Sequence, residues 1–337
     1  MKIAVLGAGS WGTSLAVLAS RAGGEVTLWG RNSEHIETMR RTGRNARFFP
    51  DLDLPPLRFC DQLSDAFEDA EIVVCALPSS TLPSMAGQIV PLLWPNALLV
   101  SGTKGLHPET GERASQIWAR AGLDEARFVA LSGPNLAREI VAGAATSSVV
   151  ASVDGESARR AQLAFDAGLF RVYTNADLLG VELGGALKNV VAIAAGMGDG
   201  RGFGDNAKAA LMTRHWREMA RLASALGARE STLWGLSGLG DLLATCASAQ
   251  SRNHQLGWHI GRGFSLQEAQ REVAQTVEGV HTCRAALELG QTHGVFLPVT
   301  RGLGAILWGQ VPVERALSEL LGRPGRSEGE DDTPKIA

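Results

Sequence analysis

Only four cysteines occur in the 337 residues, Cys60, Cys75, Cys246 and Cys283, far apart and without a CxxC pair. Thiolate zinc sites and dithiol exchange motifs need closer spacing, so reduced, buried thiols are expected. The seven histidines (His35, His107, His215, His254, His259, His281 and His293) are equally dispersed, with no ligand spacing supported by nearby acids or cysteines, and no metal is assigned. Charge of one sign is also lacking: 32 Lys and Arg stand against 35 Asp and Glu, a net charge of -3. A duplex-binding surface usually needs a strongly basic face, so a nucleic-acid partner is not expected. The N-terminus offers one lysine followed by Ile3-Ala4-Val5-Leu6, too short an apolar run for a secretory signal or a bilayer span. A cytoplasmic protein without stable membrane insertion is the expectation, and no repeat or low-complexity segment interrupts the two halves of the chain.

What the chain does have is length, 45% hydrophobic residues and 40 glycines. The length favours two domains over one core. The first 150 residues alternate short apolar runs with segments of helical period, placing strands near 2–6, 25–29, 71–76, 97–101, 127–131 and 146–152. Ile72-Val73-Val74-Cys75-Ala76 is continuously apolar, as a strand covered on both faces requires. From about Asp177 the texture turns to alanine- and leucine-rich stretches, with helices expected over 181–197, 206–226, 266–274 and 282–292. The predicted architecture is α/β: a Rossmann-like, doubly wound, mostly parallel sheet over 1–176, then an all-helical second domain over 177–321 for substrate and dimerisation. Residues 322–337 are charged and rich in Gly, Pro, Ser, Glu and Asp, a composition that predicts a disordered tail.

Lys2-Ile3-Ala4-Val5-Leu6 runs directly into Gly7-Ala8-Gly9-Ser10-Trp11-Gly12, and a helix opens at Thr13. Strand, GxGxxG and helix in that order form a dinucleotide-binding turn. Gly7 permits the tight turn, Gly9 lets a pyrophosphate approach the backbone, and Gly12 lets helix and strand pack closely. The phosphates then meet the positive end of the helix. After the second strand the chain reads Trp29-Gly30-Arg31-Asn32, with no acid for a ribose 2′-hydroxyl and an arginine able to grip a 2′-phosphate. NAD or NADP is therefore the expected cofactor, with Arg31 a solvated loop charge if it plays no part.

Three further strands run into Leu77-Pro78-Ser79, Thr103-Lys104-Gly105 and Ser132-Gly133-Pro134. In open α/β sheets ligands bind outside the carboxyl ends of the strands, which draws attention to Lys104, although position alone also suits a surface lysine before a turn. A second lysine, Lys188, has Gly184, Gly185, Ala192 and Ala195 as its helical neighbours at i−4, i−3, i+4 and i+7. Such a face, stripped of bulk, implies close approach by another group, and an ammonium there can exchange a proton with a forming alkoxide. Gly235-Leu236-Ser237-Gly238-Leu239-Gly240-Asp241 is a glycine loop ending in an acid that helix capping alone would explain. Ser251-Arg252-Asn253 brings together a hydroxyl, a guanidinium fork and an amide, suited to an anionic oxygen cluster but also to an ordinary helix start. The eight tryptophans are scattered and read as core or interface residues.

Taken in order, these motifs resemble bacterial-type NAD(P)-dependent glycerol-3-phosphate dehydrogenases from Gly7 to about Val299, through Gly184-Gly185-Ala186-Leu187-Lys188-Asn189, Gly204-Asp205-Asn206-Ala207-Lys208, Gly238-Leu239-Gly240-Asp241-Leu242 and Val277-Glu278-Gly279. The resemblance implies reversible reduction of dihydroxyacetone phosphate to sn-glycerol 3-phosphate for phospholipid synthesis, by a homodimer. It implies that Lys188 is the proton donor and acceptor, and that Lys104, Gly133, Asn135, Lys188, Asp241, Ser251, Arg252 and Asn253 bind substrate. The cofactor would be bound by Gly7, Gly9, Ser10, Trp11, Gly12, Arg31, Lys104, Ala137, Arg252 and Glu278. Three positions depart from the family pattern: Asn135 replaces a small hydroxyl residue, His215 replaces the glycine of Thr-Arg-Gly, and Phe48-Phe49-Pro50 replaces a Tyr-Leu-Pro-like segment. The rival readings are a two-domain dehydrogenase acting on hydroxyisobutyrate, ketopantoate or a sugar nucleotide, and a non-catalytic NAD(P)H-binding sensor.

Overall fold

Apolar runs without polar interruption become the buried strands of one sheet, and the alanine-rich stretches become helices packed at very short range. The computed structural model describes residues 1–309 and 311–321; the tail expected at 322–337 lies outside them. The chain divides into two compact units, Met1–Lys104 with Arg113–Glu182, and Gly105–Glu112 with Leu183 onward.

In the first unit β1 (Lys2–Leu6), α1 (Ser10–Arg21), β2 (Glu25–Trp29), α2 (Ser33–Thr42), β3 (Arg58–Cys60), α3 (Leu63–Ala66), β4 (Ile72–Cys75) and α4 (Leu82–Ile89) are followed by β5 (Leu98–Ser101), α5 (Ala114–Arg120), β6 (Phe128–Ser132), α6 (Ala137–Val141), β7 (Thr146–Ala151), α7 (Gly155–Phe165) and β8 (Phe170–Asn175). The sheet order is β3-β2-β1-β4-β5-β6-β7-β8, and β6 with β7 is the antiparallel pair in an otherwise parallel sheet. Every residue of β4, β5 and β6 is buried, because helices cover both faces. Strand order reverses between β1 and β4, and the crevice at such a switch point is where open α/β sheets take ligands. β3 was not expected from the sequence: it is three residues long at a sheet edge, with Cys60 buried and Arg58 exposed, too short to show a period.

The second unit is helical: α8 (Leu178–Arg201), whose first five residues belong to the first unit, is followed by α9 (Gly204–Ala225), α10 (Glu230–Leu233), α11 (Asp241–Ala247), α12 (Arg252–Gly261), α13 (Leu266–Val273), α14 (Glu278–Thr292), α15 (Pro298–Gly309) and α16 (Val313–Leu321). α8 is long and apolar enough to cross a membrane by composition, but 83% of that apolar window is buried, as in the core helix of a folded domain. It packs on α12 through two glycine pairs spaced four residues apart. A Cβ on Gly257 would lie 1.9 Å from the Ile193 carbonyl oxygen, and one on Gly196 would lie 2.0 Å from that of His254. Gly261 and Gly200 repeat the pattern against Met197 and Trp258. Val190, Ile193 and Met197 then pack with Leu256, Ile260 and Val280 into the core of this unit.

His215, the residue in place of the family's glycine, is 2% exposed, and its Nε2 donates to the Leu187 carbonyl at 3.2 Å. Burial lowers its imidazole to about 4, so it is neutral at ordinary pH. Glu218, one turn along α9, is 1% exposed and accepts from the Val299 and Thr300 amides and the Thr300 hydroxyl. Burial raises its carboxyl to about 7 despite those donors. A folded-state value above the unfolded one means stability that is full below about 4.5 and lost as pH rises through about 7, on the order of 3 kcal/mol. Neutral His215 contributes the opposite trend, gained as pH rises from about 4 to 6.5. The Glu218 contribution is therefore read as the difference in urea stability between wild type and Glu218→Gln, which should fall between about pH 4.5 and 7.

Candidate active site

Residues singled out in the sequence occur in both units. In the first, Gly7 has φ +115°, and a Cβ there would lie 3.0 Å from the Ala76 carbonyl oxygen, where β4 runs beside the turn. Gly12 allows still less: its Cβ would fall 1.8 Å from the Gly7 carbonyl oxygen. Around Gly9, by contrast, nothing lies within 4 Å of a Cβ position. Gly9 is also the N-cap of α1 and makes no side-chain cap, so the helix's first amides retain their capacity to bind an anion. The turn therefore fits a dinucleotide pyrophosphate: protein crowds two of its glycines and leaves the third open.

Ser10 opens α1, and its carbonyl accepts from the Ser14 hydroxyl at 2.9 Å; that hydroxyl also reaches the Ala137 carbonyl at 3.1 Å, tying α6 to α1. Trp11 donates from Nε1 to the Gly102 carbonyl at 2.8 Å. Its ring lies 5.5 Å from the Lys104 Nζ, a cation–π distance that orients the lysine. Lys104 also donates to the Gly133 carbonyl at 2.8 Å and reaches the Asn135 Oδ1 at 3.4 Å. Gly133 sits at φ +137° with Ser148 against it, and Asn135 Oδ1 accepts from the Ser148 hydroxyl at 2.9 Å. The Asn135 Nδ2 is buried without a protein acceptor, a donor that an oxygen-bearing ligand could satisfy. Arg31 follows β2 and is exposed, while Asn32 beside it caps α2 by accepting from the His35 amide at 2.8 Å. An acid does lie close by. Asp61, after β3, accepts from the Trp29 indole through its carbonyl at 3.0 Å, and the Ser33 hydroxyl holds its carboxyl below the usual range. The sequence could not show this, because the short edge strand that brings Asp61 there has no signature of its own.

In the second unit Lys188 is 6% exposed. Its Nζ lies 2.6 Å from the Thr245 Oγ1 and 3.0 Å from the Asp241 Oδ1, and Thr245 in turn donates to Asp241 at 3.1 Å. The small-residue face beside Lys188 admits backbone: a Cβ on Gly184 would lie 2.9 Å from the Ser237 carbonyl oxygen. Asp241 is not the cap that its place after a glycine loop had suggested. Gly240 is the N-cap position, and the Asp241 carboxylate, 1% exposed, turns inward to Lys188. Thr245, one helical turn after Asp241, was not singled out in the sequence; an i, i+4 acid and hydroxyl on the face toward a buried lysine was the available signal.

Ser251 caps α12, its hydroxyl accepting from the His254 amide at 3.3 Å. Asn253 spans three elements, donating to Asn189 Oδ1 on α8 and accepting from the Gly279 amide on α14, both at 2.9 Å. It therefore joins the residue next to Lys188 to the α12 triplet. Arg252 is half-buried and donates from Nη1 to the Thr276 carbonyl at 3.0 Å. Burial pulls its guanidinium below the ordinary value, and the Glu278 carboxylate opposes that shift. Glu278 is the first residue of α14 and lies against Gly105, whose Cβ would come 2.5 Å from its Oε2. All four cysteines are free and buried, and burial raises Cys246 and Cys283 to about 12 and Cys60 and Cys75 to about 11.

Two family profiles match the chain, the N-terminal part of NAD-dependent glycerol-3-phosphate dehydrogenase over residues 2–158 and its C-terminal part over 177–318. The glycerol-3-phosphate dehydrogenase [NAD(P)+] of Moorella thermoacetica is 45% identical over 97% of this chain and 98% of its own. That of Streptomyces coelicolor is 43% identical over 97% and 98%. Among solved structures, glycerol-3-phosphate dehydrogenase from Coxiella burnetii superposes with a TM-score of 0.91 at 36% identity, covering 96% of this chain and 99% of that one. A ketopantoate reductase from Ralstonia eutropha, at TM-score 0.59, 17% identity and coverage of 94% and 100%, shares the fold alone. The two profiles together match most of the chain, and full-length relatives at 43–45% identity carry the same family name. The chain belongs to the NAD-dependent glycerol-3-phosphate dehydrogenase family.

Proposed function

We propose that this member of the family interconverts dihydroxyacetone phosphate and sn-glycerol 3-phosphate with NAD(P)H or NAD(P)+, and that Lys188 is its proton donor and acceptor. The observation that carries the assignment is the buried ammonium of Lys188, held between Asp241 and Thr245. Held at the Gly7–Gly12 turn, the reduced nicotinamide cofactor would supply the hydride for the carbonyl carbon. Lys188 gives a proton from Nζ to the forming alkoxide oxygen, and the resulting amine takes one back when the alcohol is oxidised. Asp241 and Thr245 fix the ammonium, and the Asp241 carboxylate keeps the Lys188 charge compensated inside a buried site.

Ser251, Arg252, Asn253, Lys104, Gly133 and Asn135 are the further substrate contacts of this reading. Gly7, Gly9, Ser10, Trp11, Gly12, Arg31, Lys104, Ala137, Arg252 and Glu278 are its cofactor contacts. Division at 176/177 into a cofactor domain and a substrate and dimerisation domain, a homodimeric state, a cytoplasmic location and a role in supplying phospholipid synthesis belong to the same proposal.

Arg252→Lys should raise the KM for dihydroxyacetone phosphate by about tenfold or more, because an ammonium cannot reproduce a bidentate guanidinium grip on a phosphate. Steady-state kinetics at saturating cofactor will show it, and an unchanged KM would remove Arg252 from the phosphate site. Arg31→Ala should weaken NADPH by roughly tenfold and leave NADH nearly untouched, since only the former carries a 2′-phosphate. Equal losses for both cofactors would make Arg31 a general cofactor contact. A panel of dihydroxyacetone phosphate, ketopantoate, hydroxyisobutyrate and UDP-glucose tests the assignment against the same-class rivals, with turnover expected for the triose phosphate.

A further inference from the structure

The dinucleotide turn has almost no side chains with which to hold its own shape, since Gly7, Ala8 and Gly9 offer a single methyl group among them. Its backbone is nevertheless anchored from outside by Asn45, in the loop after α2. The Asn45 side chain is fully buried, and its Nδ2 donates to the Ala8 carbonyl at 3.1 Å and to the Thr13 Oγ1 at 2.8 Å. One amide thereby bridges the peptide between the first two glycines to the first turn of α1. Thr13 itself is fully buried, so the bridge is shielded from competing water.

The loop presents this amide rigidly. The Phe48 and Phe49 amides donate to the Asn45 carbonyl at 3.0 and 2.8 Å, and Phe49, 1% exposed, packs with Val17 of α1 and Val141 of α6. The Phe-Phe-Pro departure from the family pattern thus serves as an apolar anchor for the loop. Two acceptors fix the amide's orientation, because the flipped side chain would set Oδ1 against the Ala8 carbonyl. That orientation leaves Oδ1 buried without a protein donor.

We propose that Asn45 is a positioning residue for cofactor binding, holding the Ala8 peptide so that the backbone around Gly9 is preorganised for the pyrophosphate. This rests on reading the turn as the NAD(P)H site. Asn45 acts on affinity for the dinucleotide, through the backbone it fixes.

The test compares wild type, Asn45→Asp, Asn45→Leu and Thr13→Val by fluorescence titration with NADH and NADPH, by the KM for dihydroxyacetone phosphate at saturating cofactor, and by Tm. Aspartate keeps the shape but cannot donate to the Ala8 carbonyl, and leucine removes donor and acceptor together. Both variants should raise the Kd of NADH and NADPH in parallel by roughly tenfold or more, since loss of the donor leaves a buried carbonyl unpaired. Thr13→Val, which removes only one arm of the bridge, should give a smaller rise in the same direction, and it covers the case in which the Asn45 variants do not fold. The KM for dihydroxyacetone phosphate should move less than about twofold, because no cofactor-independent substrate contact has been altered. Lowered Tm with unchanged Kd for both cofactors would make Asn45 a structural residue only and overturn the proposal, as would an unchanged Kd in Thr13→Val. Failure of wild type to bind either cofactor would overturn the cofactor reading itself, a distinct outcome.

Discussion

Lys188→Ala is expected to lower kcat for dihydroxyacetone phosphate reduction by about 10³-fold or more, while NADPH still binds. The size of the effect follows from the position of the ammonium: it is buried at 6% exposure and lies 3.0 Å from Asp241. Alanine also breaks the buried ion pair with Asp241, 1% exposed, and removing one partner of such a pair is destabilising by about 3–5 kcal/mol. Loss of activity through unfolding must therefore be separated from loss of the proton donor. The double variant Lys188→Met with Asp241→Asn removes both charges. It should recover much of the thermal stability lost in the single variant and recover none of the turnover. Lys188→Arg should be nearly as inactive, because a guanidinium keeps the charge but does not exchange a proton at neutral pH. Full activity in Lys188→Ala with bound cofactor would exclude Lys188 from proton transfer.

Gly257→Ala is expected to be among the most destabilising single-methyl substitutions in the chain. The added carbon would lie 1.9 Å from the Ile193 carbonyl oxygen, a backbone atom of a 24-residue helix that cannot rotate aside as a side chain would. α8 and α12 would have to separate, and the consequences reach the proposed site, because α8 carries Lys188 and α12 carries Arg252 and Asn253. Overpacking of this kind costs about 3 kcal/mol or more, which for a domain of this size corresponds to a drop of roughly 10 °C in Tm. Thermal denaturation of Gly257→Ala beside Gly155→Ala, where nothing lies within 4 Å of the new carbon, provides the contrast. Similar Tm values for both would mean that the helix crossing yields easily.

Much of this arrangement was legible in the sequence. Continuous apolar runs such as Ile72-Val73-Val74-Cys75 announce strands covered on both faces, and strand, GxGxxG and helix in sequence announce the turn, because these signals are local. The small-residue face of Lys188 was also readable, although what approaches it at Gly184 is the Ser237–Gly238 backbone. What stayed hidden depends on distant pairings. The edge strand β3 carries Asp61 toward Ser33 without a period of its own. Asp241 reads as a cap until Lys188, 53 positions earlier, faces it across two helices. Asn45 lies 37 residues from the carbonyl it holds, and Asn253 lies 64 from Asn189. Single polar residues whose partners lie that far along the chain leave no spacing to detect. The triplet at 251–253 shows how one pattern holds two readings, since Ser251 is both a helix cap and a candidate substrate contact.

The most direct test of the central claim is the initial rate of NADPH oxidation at 340 nm by the wild-type protein with dihydroxyacetone phosphate and, separately, with unphosphorylated dihydroxyacetone. The expected result is rapid oxidation with the phosphate ester, stoichiometric formation of sn-glycerol 3-phosphate, and a kcat/KM for dihydroxyacetone lower by about 10³-fold or more, because the groups proposed to bind the phosphate would be left unpaired. No oxidation with the phosphate ester, or equal kcat/KM values for the two ketones, would contradict it.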